Sequence, residues 1–276
     1  MEVKFKLDEH GKPLAVVPKV RKDAHKLIEE YMLLANRAVA TFIFKNGGEK
    51  QKKGALTFVY RTHDLPDPDK VQDFANFARQ FGHKIQTDDT TISKSLNRLM
   101  DEIEGKPEQN VLQQLAVRSM AKAKYTTEPK GHFGLAFDHY THFTSPIRRY
   151  PDVLVHRLLE GILSQSDKII AKVELEARCK NSSLMERKAM DAEREAIKYK
   201  QIEFLQDKIG QEFDAIITGV IARGVFAEMQ ENKCEGMLSI ELLGDEEFMY
   251  EEKFVRLTGM KSGNRFQLGD TLRVKV

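Results

Sequence analysis

Arg148 and Arg149 stand directly behind Thr144-Ser145-Pro146-Ile147 and ahead of Tyr150-Pro151-Asp152. Ser or Thr before Pro is a helix-start pattern. The hydroxyl can cap a free N–H, and proline lacks the N–H that would go unpaired at the first helical position. Pro151-Asp152 predicts one short turn that restarts as a helix over 152–163. Arginines in a first turn oppose the helix dipole. They make sense around an anion, because free N–H groups and guanidinium forks together form a phosphate site. The alternative is a capped helix with solvated arginines, and these residues alone leave both readings open.

Other groups that could do chemistry are less persuasive on their own. Asp64, Asp67 and Asp69 fall within six residues, a density that suits metal ligands. Pro66 and Pro68 instead make the segment an extended turn, with Asp69 placed to cap the next helix. His132, His139, His142 and His156 crowd the central stretch, but none shows the HExxH spacing of a metal pair. Satisfied structural histidines are expected. Glu29, Glu30 and Glu193 each read alone as part of a solvated helix face.

These groups need elements to position them. Val3–Leu7 and 14–17 form a predicted hairpin around Glu9-His10-Gly11-Lys12. Asp23 is placed to cap a helix over 24–44, whose Leu27, Ile28, Tyr31, Ala35, Ala38, Val39 and Phe42 share one face. Met32-Leu33-Leu34-Ala35 makes it apolar all round, so burial on most sides is expected. A strand is predicted at 56–61 and helices at 70–81, 92–103 and 108–123, the last with Pro107 near its start. Residues 169–209 are strongly helical, with a break at Asn181-Ser182-Ser183 and a capping box from Ser183 to Glu186. Gly210 changes the regime to β-strands, at 213–220, 224–229, 235–243 and 268–276, with Arg223-Gly224 in a turn.

Composition sets outer bounds. The 276 residues are 31% charged, 41% hydrophobic and 8% aromatic, an ordinary globular balance with room for two domains. No apolar run is long enough to cross a membrane, and no secretory leader pattern opens the chain. Cys179 and Cys234 lack CxxC spacing, which argues against a disulfide framework and fits a reducing cytoplasm. Residues 211–276 hold 8 Lys and Arg against 12 Asp and Glu. The first 210 residues are left with 36 against 30, a mild basic bias compatible with nucleic acid.

The wording of the central stretch narrows this. His132-Phe133-Gly134-Leu135-Ala136, followed by Tyr140-Thr-His-Phe-Thr-Ser-Pro-Ile-Arg-Arg-Tyr-Pro-Asp152, resembles the signature of the ribonuclease II/ribonuclease R family. Further likenesses to that family are Leu27-Ile-Glu-Glu-Tyr-Met-Leu-Leu-Ala-Asn36, Tyr60-Arg-Thr-His63, Arg118-Ser-Met120 and Ala192-Glu-Arg-Glu195. The order of the C-terminal strands resembles a five-stranded OB-fold RNA-binding module, with Ser239 where that module usually has histidine.

The resemblance implies an α+β chain. Residues 1–209 would be the helix-rich later part of an RNB-type catalytic domain, and 210–276 an OB-fold barrel lacking its last strand. It implies a processive 3′–5′ hydrolytic exoribonuclease with single-stranded RNA as partner. Arg148 and Glu193 would be catalytic. Glu30, Tyr125, His132, Phe133, Ser145 and Arg149 would contact RNA, and Phe226 would stack on bases. The family's Mg²⁺ ligands form an aspartate cluster upstream of anything matched here. The chain is therefore expected to lack metal ligands, to bind RNA without degrading it, and to be completed by an N-terminal part of the same protein. Two rivals stand beside this reading: a non-catalytic RNA-binding protein, and a helical scaffold with solvated arginines.

Overall fold

The computed structural model describes residues 3–48, 57–106, 108–164 and 170–276. Strands β1 (Val3–Leu7) and β2 (Pro13–Pro18) pair antiparallel, and the Asp8 carboxylate closes their turn by accepting from the N–H groups of His10 and Lys12. Helix α1 (Asp23–Gly48) follows. Asp23 is its first residue and bonds to Lys26, so it does not act as the expected cap. Leu56 and Pro107 lie outside the described residues, and so does Ile169.

Strand β3 (Tyr60–Thr62) leads to helices α2 (Pro68–Gln80), α3 (Ile92–Glu102) and α4 (Gln109–Ser119), which ends four residues before the expected position. The cap of α2 is Asp67 rather than Asp69. Its carboxylate accepts from the N–H groups of Asp69 and Lys70, and Pro68 then occupies the first helical turn. Strand β4 (Lys124–Thr126) pairs with β3. An irregular stretch then leads to α5 (Tyr150–Leu163) and α6 (Lys172–Gln206).

Helix α6 runs unbroken for 35 residues through the expected interruption. The hydroxyls of Ser182 and Ser183 donate back to the carbonyls of Arg178 and Cys179, one turn earlier, instead of capping a new start. Glu186 pairs with Arg61, which leaves the capping box without its acid.

The C-terminal strands build an open four-stranded sheet in the order β11-β5-β6-β7: β5 (Glu212–Ile221), β6 (Gly224–Met229), β7 (Glu235–Ser239) and β11 (Thr271–Lys275). A second sheet, β10-β9-β8, comes from β8 (Phe248–Glu251), β9 (Arg256–Gly259) and β10 (Arg265–Gln267), which the sequence pattern did not reveal. Gly224 is required where it stands. Its φ is +151°, and a Cβ there would run into the Leu238 carbonyl across the β6–β7 pair.

Among the described residues three hydrophobic clusters hold these layers. Val71, Phe74, Ile92, Leu96, Leu99 and Leu112 of α2–α4 share one core with Ile217, Val225 and Leu257 of the β-module. Ala40 and Ile43 of α1 pack with Phe58, Val59, Tyr60, Tyr125, Leu154, Val155, Leu175 and Cys179. Val16 of β2 joins Phe213, Ala215, Ala227 and Val274.

The expected burial of α1 is overturned. Leu27, Tyr31 and Leu34 are 57%, 62% and 60% exposed, and Ile28 and Phe42 are exposed too. Only the second half of the helix, which carries Asn36, Ala40 and Ile43, reaches a core. The earlier turns meet no covering layer among the described residues.

Candidate nucleic-acid and phosphate site

Residues 140–149 form an irregular strap that crosses α1, β3 and α5. Its backbone is pinned at successive positions. Arg61 N–H donates to the Tyr140 carbonyl at 2.9 Å, and the Thr141 hydroxyl donates to the Val59 carbonyl at 2.7 Å. Asn36, buried within α1, accepts from the N–H groups of Phe143 and Thr144. Asp152, fully buried in the first turn of α5, accepts from Ser145 N–H at 2.7 Å and from Arg149 Nη2 at 2.9 Å. The N–H groups of Arg148 and Arg149 both donate to the Ser145 carbonyl, closing a tight turn over Ser145–Arg148.

This geometry corrects the helix-start reading. The helix begins at Tyr150, with Pro151 in its first turn and Arg149 as the residue before it. Ser145 is five residues too early to start a helix, and its N–H is committed to Asp152. The free N–H groups expected to face an anion are therefore not available at Ser145-Pro146. What faces outward is Arg148, an exposed guanidinium with no hydrogen-bond or ion-pair partner among the described residues. Arg149 is turned inward against Asp152, although it still contributes to the same wall.

Arg148 lines a cavity of roughly 530 Å³ together with Arg149, Tyr125, Glu186 and Glu193. Glu193 projects from the exposed middle of α6, also without a partner among the described residues. A cation and an anion 45 positions apart in sequence thus face one space without neutralising each other. Tyr125 forms part of the floor. It is 4% exposed, the Arg61 guanidinium lies 4.6 Å over its ring, and its hydroxyl is 2.8 Å from His142 Nδ1. Burial pushes the Tyr125 hydroxyl up to about 12. Arg61 is held in turn by Glu186 at 2.6 Å.

The histidines are structural in part. Burial, reinforced by Arg149 and Arg61, pushes His142 down to about 3, so it is a neutral ring. Burial also lowers His132 to about 4, with His63 and Arg61 adding to the effect. His156 Nε2 lies 2.8 Å from the Phe143 carbonyl. The expectation of satisfied rings fails at His132 and His139, whose buried Nδ1 atoms have no hydrogen-bond partner among the described residues.

The remaining expected contacts lie elsewhere. His132 and Phe133 border a separate cleft with Asp64, Asp89 and Lys130. Glu30 is exposed on α1 and does not line the Arg148 cavity. Phe226 lies half-buried on the outer face of β6, with its ring covering Gly219. Among the described residues no group of three or more His, Cys, Asp or Glu is arranged to hold a metal ion, the Asp64–Asp69 turn included.

Sequence reasoning missed the residues that fix the strap: Asn36, Asp152, Arg61 and Glu186. Two had a visible signal. Asn36 is an amide inside an otherwise apolar helical face, and Asp152 sits where a helix N-terminus favours an acid.

A helix-rich layer, whose Arg148 has no partner among the described residues, is thus joined through a common core to an OB-type β-module. The chain belongs to the RNB domain family, whose model matches residues 1–165, and an S1 RNA binding domain matches residues 206–276. Ribonuclease R of Aquifex aeolicus is 40% identical over 276 residues, covering 99% of this chain and 38% of that protein. Ribonuclease R 1 of Lactococcus lactis is 40% identical over 281 residues, covering 100% of this chain and 33% of that protein. The chain thus spans 33–38% of the length of these relatives.

The RNase R of Mycoplasma genitalium, solved in complex with ribose-methylated single-stranded RNA, superimposes with a TM-score of 0.89 at 30% identity. It covers 99% of this chain and 42% of that one. Yeast Ssd1, a pseudonuclease, shares the fold at 22% identity with a TM-score of 0.66, covering 80% of this chain and 27% of its own.

Proposed function

We propose that this chain supplies the phosphate-clamping part of a processive 3′–5′ exoribonuclease that hydrolyses single-stranded RNA to nucleoside 5′-monophosphates in the cytoplasm. The observation that carries this reading is the unpaired Arg148 facing the same cavity as the unpaired Glu193, in a chain of the RNB family. Hydrolysis places extra negative charge on one phosphate as water attacks. A guanidinium held by a pinned backbone meets that charge with a two-pronged donor and little reorganisation. Glu193, across the cavity, keeps an acceptor near the reacting end, suited to orienting a water or a terminal ribose hydroxyl. Tyr125 and Arg149 shape the wall, Ser145 holds the turn that carries Arg148, and Phe226 of the S1 module offers a stacking face.

The described residues offer a Mg²⁺ ion no ligand set, so any such ion would be held by residues outside them. The chain by itself is accordingly proposed to bind RNA without degrading it. The second reading is a non-catalytic RNA-binding protein, which the S1 RNA binding domain match over residues 206–276 favours.

The deciding experiment compares Arg148→Ala with wild type in the enzyme that contains this chain, measuring single-turnover RNA degradation and equilibrium binding at one salt concentration. A long strand is held through many phosphates and bases, so binding should change only modestly. Losing a donor aimed at the reacting phosphate should slow cleavage on the order of 10²–10³-fold. Arg148→Lys should rescue little. Equal losses in rate and binding would make Arg148 a grip residue. Binding with no hydrolysis at any Mg²⁺ concentration would establish the second reading.

A further inference from the structure

Asn36 lies in the middle of α1 at 3% exposure, and its three side-chain hydrogen bonds all go to the strap. Its Nδ2 donates to the Tyr140 hydroxyl at 3.0 Å. Its Oδ1 accepts from Phe143 N–H at 2.9 Å and from Thr144 N–H at 3.2 Å. Asp152 takes the next N–H in line, that of Ser145, and Ser145 in turn closes the turn that carries Arg148. Three consecutive backbone donors are therefore held by two buried side chains from two different helices. An irregular strap has no ladder partners to fix it, so side chains must supply the missing acceptors. Asn36 supplies two of the three.

We infer that Asn36 is a positioning residue for the Arg148 turn, tying the α1 backbone to the strap so that the guanidinium is already aimed when RNA arrives. The inference rests on the reading of Arg148 given above, but the clamp itself can be observed without activity. Glu30 lies six residues earlier on the same helix, roughly 9 Å along its axis. A shift of α1 would thus be passed to the strap through one side chain. Displacing a catalytic group by about 1 Å costs on the order of 10²-fold in rate.

Asparagine chemistry gives the test its conservative variant. In Asn36→Asp the side chain still accepts both N–H groups, and the Tyr140 hydroxyl can turn to donate to it. In Asn36→Ala all three contacts are lost. In Tyr140→Phe only the hydroxyl contact is lost. Amide exchange at Phe143 and Thr144, measured on this chain, should be at least about tenfold faster in Asn36→Ala and near wild type in Asn36→Asp. In the enzyme containing this chain, single-turnover degradation should fall on the order of 10²-fold in Asn36→Ala with RNA affinity within a few-fold, and Asn36→Asp should recover most of it.

If Asn36→Ala does not fold, Tyr140→Phe decides, with a rate loss of about 3- to 10-fold at unchanged affinity supporting the clamp. Unchanged exchange and rate in Asn36→Ala, or in Tyr140→Phe if only that variant folds, would overturn it. So would Asn36→Asp being as impaired as Asn36→Ala. Failure of the Arg148 reading would look different, because exchange would still rise in Asn36→Ala while Arg148→Ala lost rate and binding together.

Discussion

Replacing Asp152 by alanine should cost this protein about 3–4 kcal/mol of folding stability. The carboxylate is 0% exposed and makes two hydrogen bonds, one to the Ser145 N–H and one to Arg149. Breaking a buried ion pair from one side costs roughly 3–5 kcal/mol, because the remaining charge loses its partner without regaining water. The Arg149 side chain is 25% exposed and can recover some hydration, which argues for the lower end of that range. The orphaned Ser145 N–H adds about 1 kcal/mol. The measurement is urea unfolding of wild type, Asp152→Ala, Arg149→Met and the double variant, compared at constant m-value. Each single change strands a charge and the double change strands none, so the double variant should be less destabilised than the sum by about 2 kcal/mol. A loss under about 1 kcal/mol for Asp152→Ala, or an additive cycle, would refute the claim that this pair holds the strap.

Two further outcomes follow, one from burial and one from exposure. His132 and His142 are lowered from 6.5 to about 4 and about 3, so between pH 6.5 and 4 the unfolded chain binds protons that the folded chain refuses. Stability should therefore be fully present above pH 6.5 and fall on acidification, by up to ~1.4 kcal/mol per pH unit for each ring. Urea midpoints at pH 7, 6 and 5 test this, and a flat profile would mean that the rings are not buried neutral. The uncovered apolar turns of α1 should drive self-association of the isolated chain, and Leu27→Lys with Leu34→Lys should shift it toward monomer. Light scattering at several concentrations reads this out, and a wild-type chain that stays monomeric would show that the face is covered by another route.

Local patterns made much of the fold legible. The β1–β2 hairpin and helices α1, α2 and α3 lie within a few residues of where alternation, helical spacing and turn residues place them. The Arg148 stretch was visible because its wording is dense and contiguous. Errors arose where a local preference competed with a distant partner. Ser182-Ser183 has the makings of a helix break. The Ser183 hydroxyl instead bonds one turn back and also accepts Tyr125 N–H from β4, and α6 runs on. Arg149 and Ser145 looked ready for an anion until Asp152, three and seven residues later, took both donors.

By itself the sequence determined the β1–β2 hairpin, most of the helices and the family resemblance, since each depends on neighbours a few positions apart. Only the tertiary structure decided that Glu193 faces Arg148, that Asn36 and Asp152 divide the strap's amides between them, and that α1 leaves its apolar turns uncovered. Those outcomes depend on which long-range packing satisfies buried polar groups, and no local pattern encodes a partner a hundred residues away.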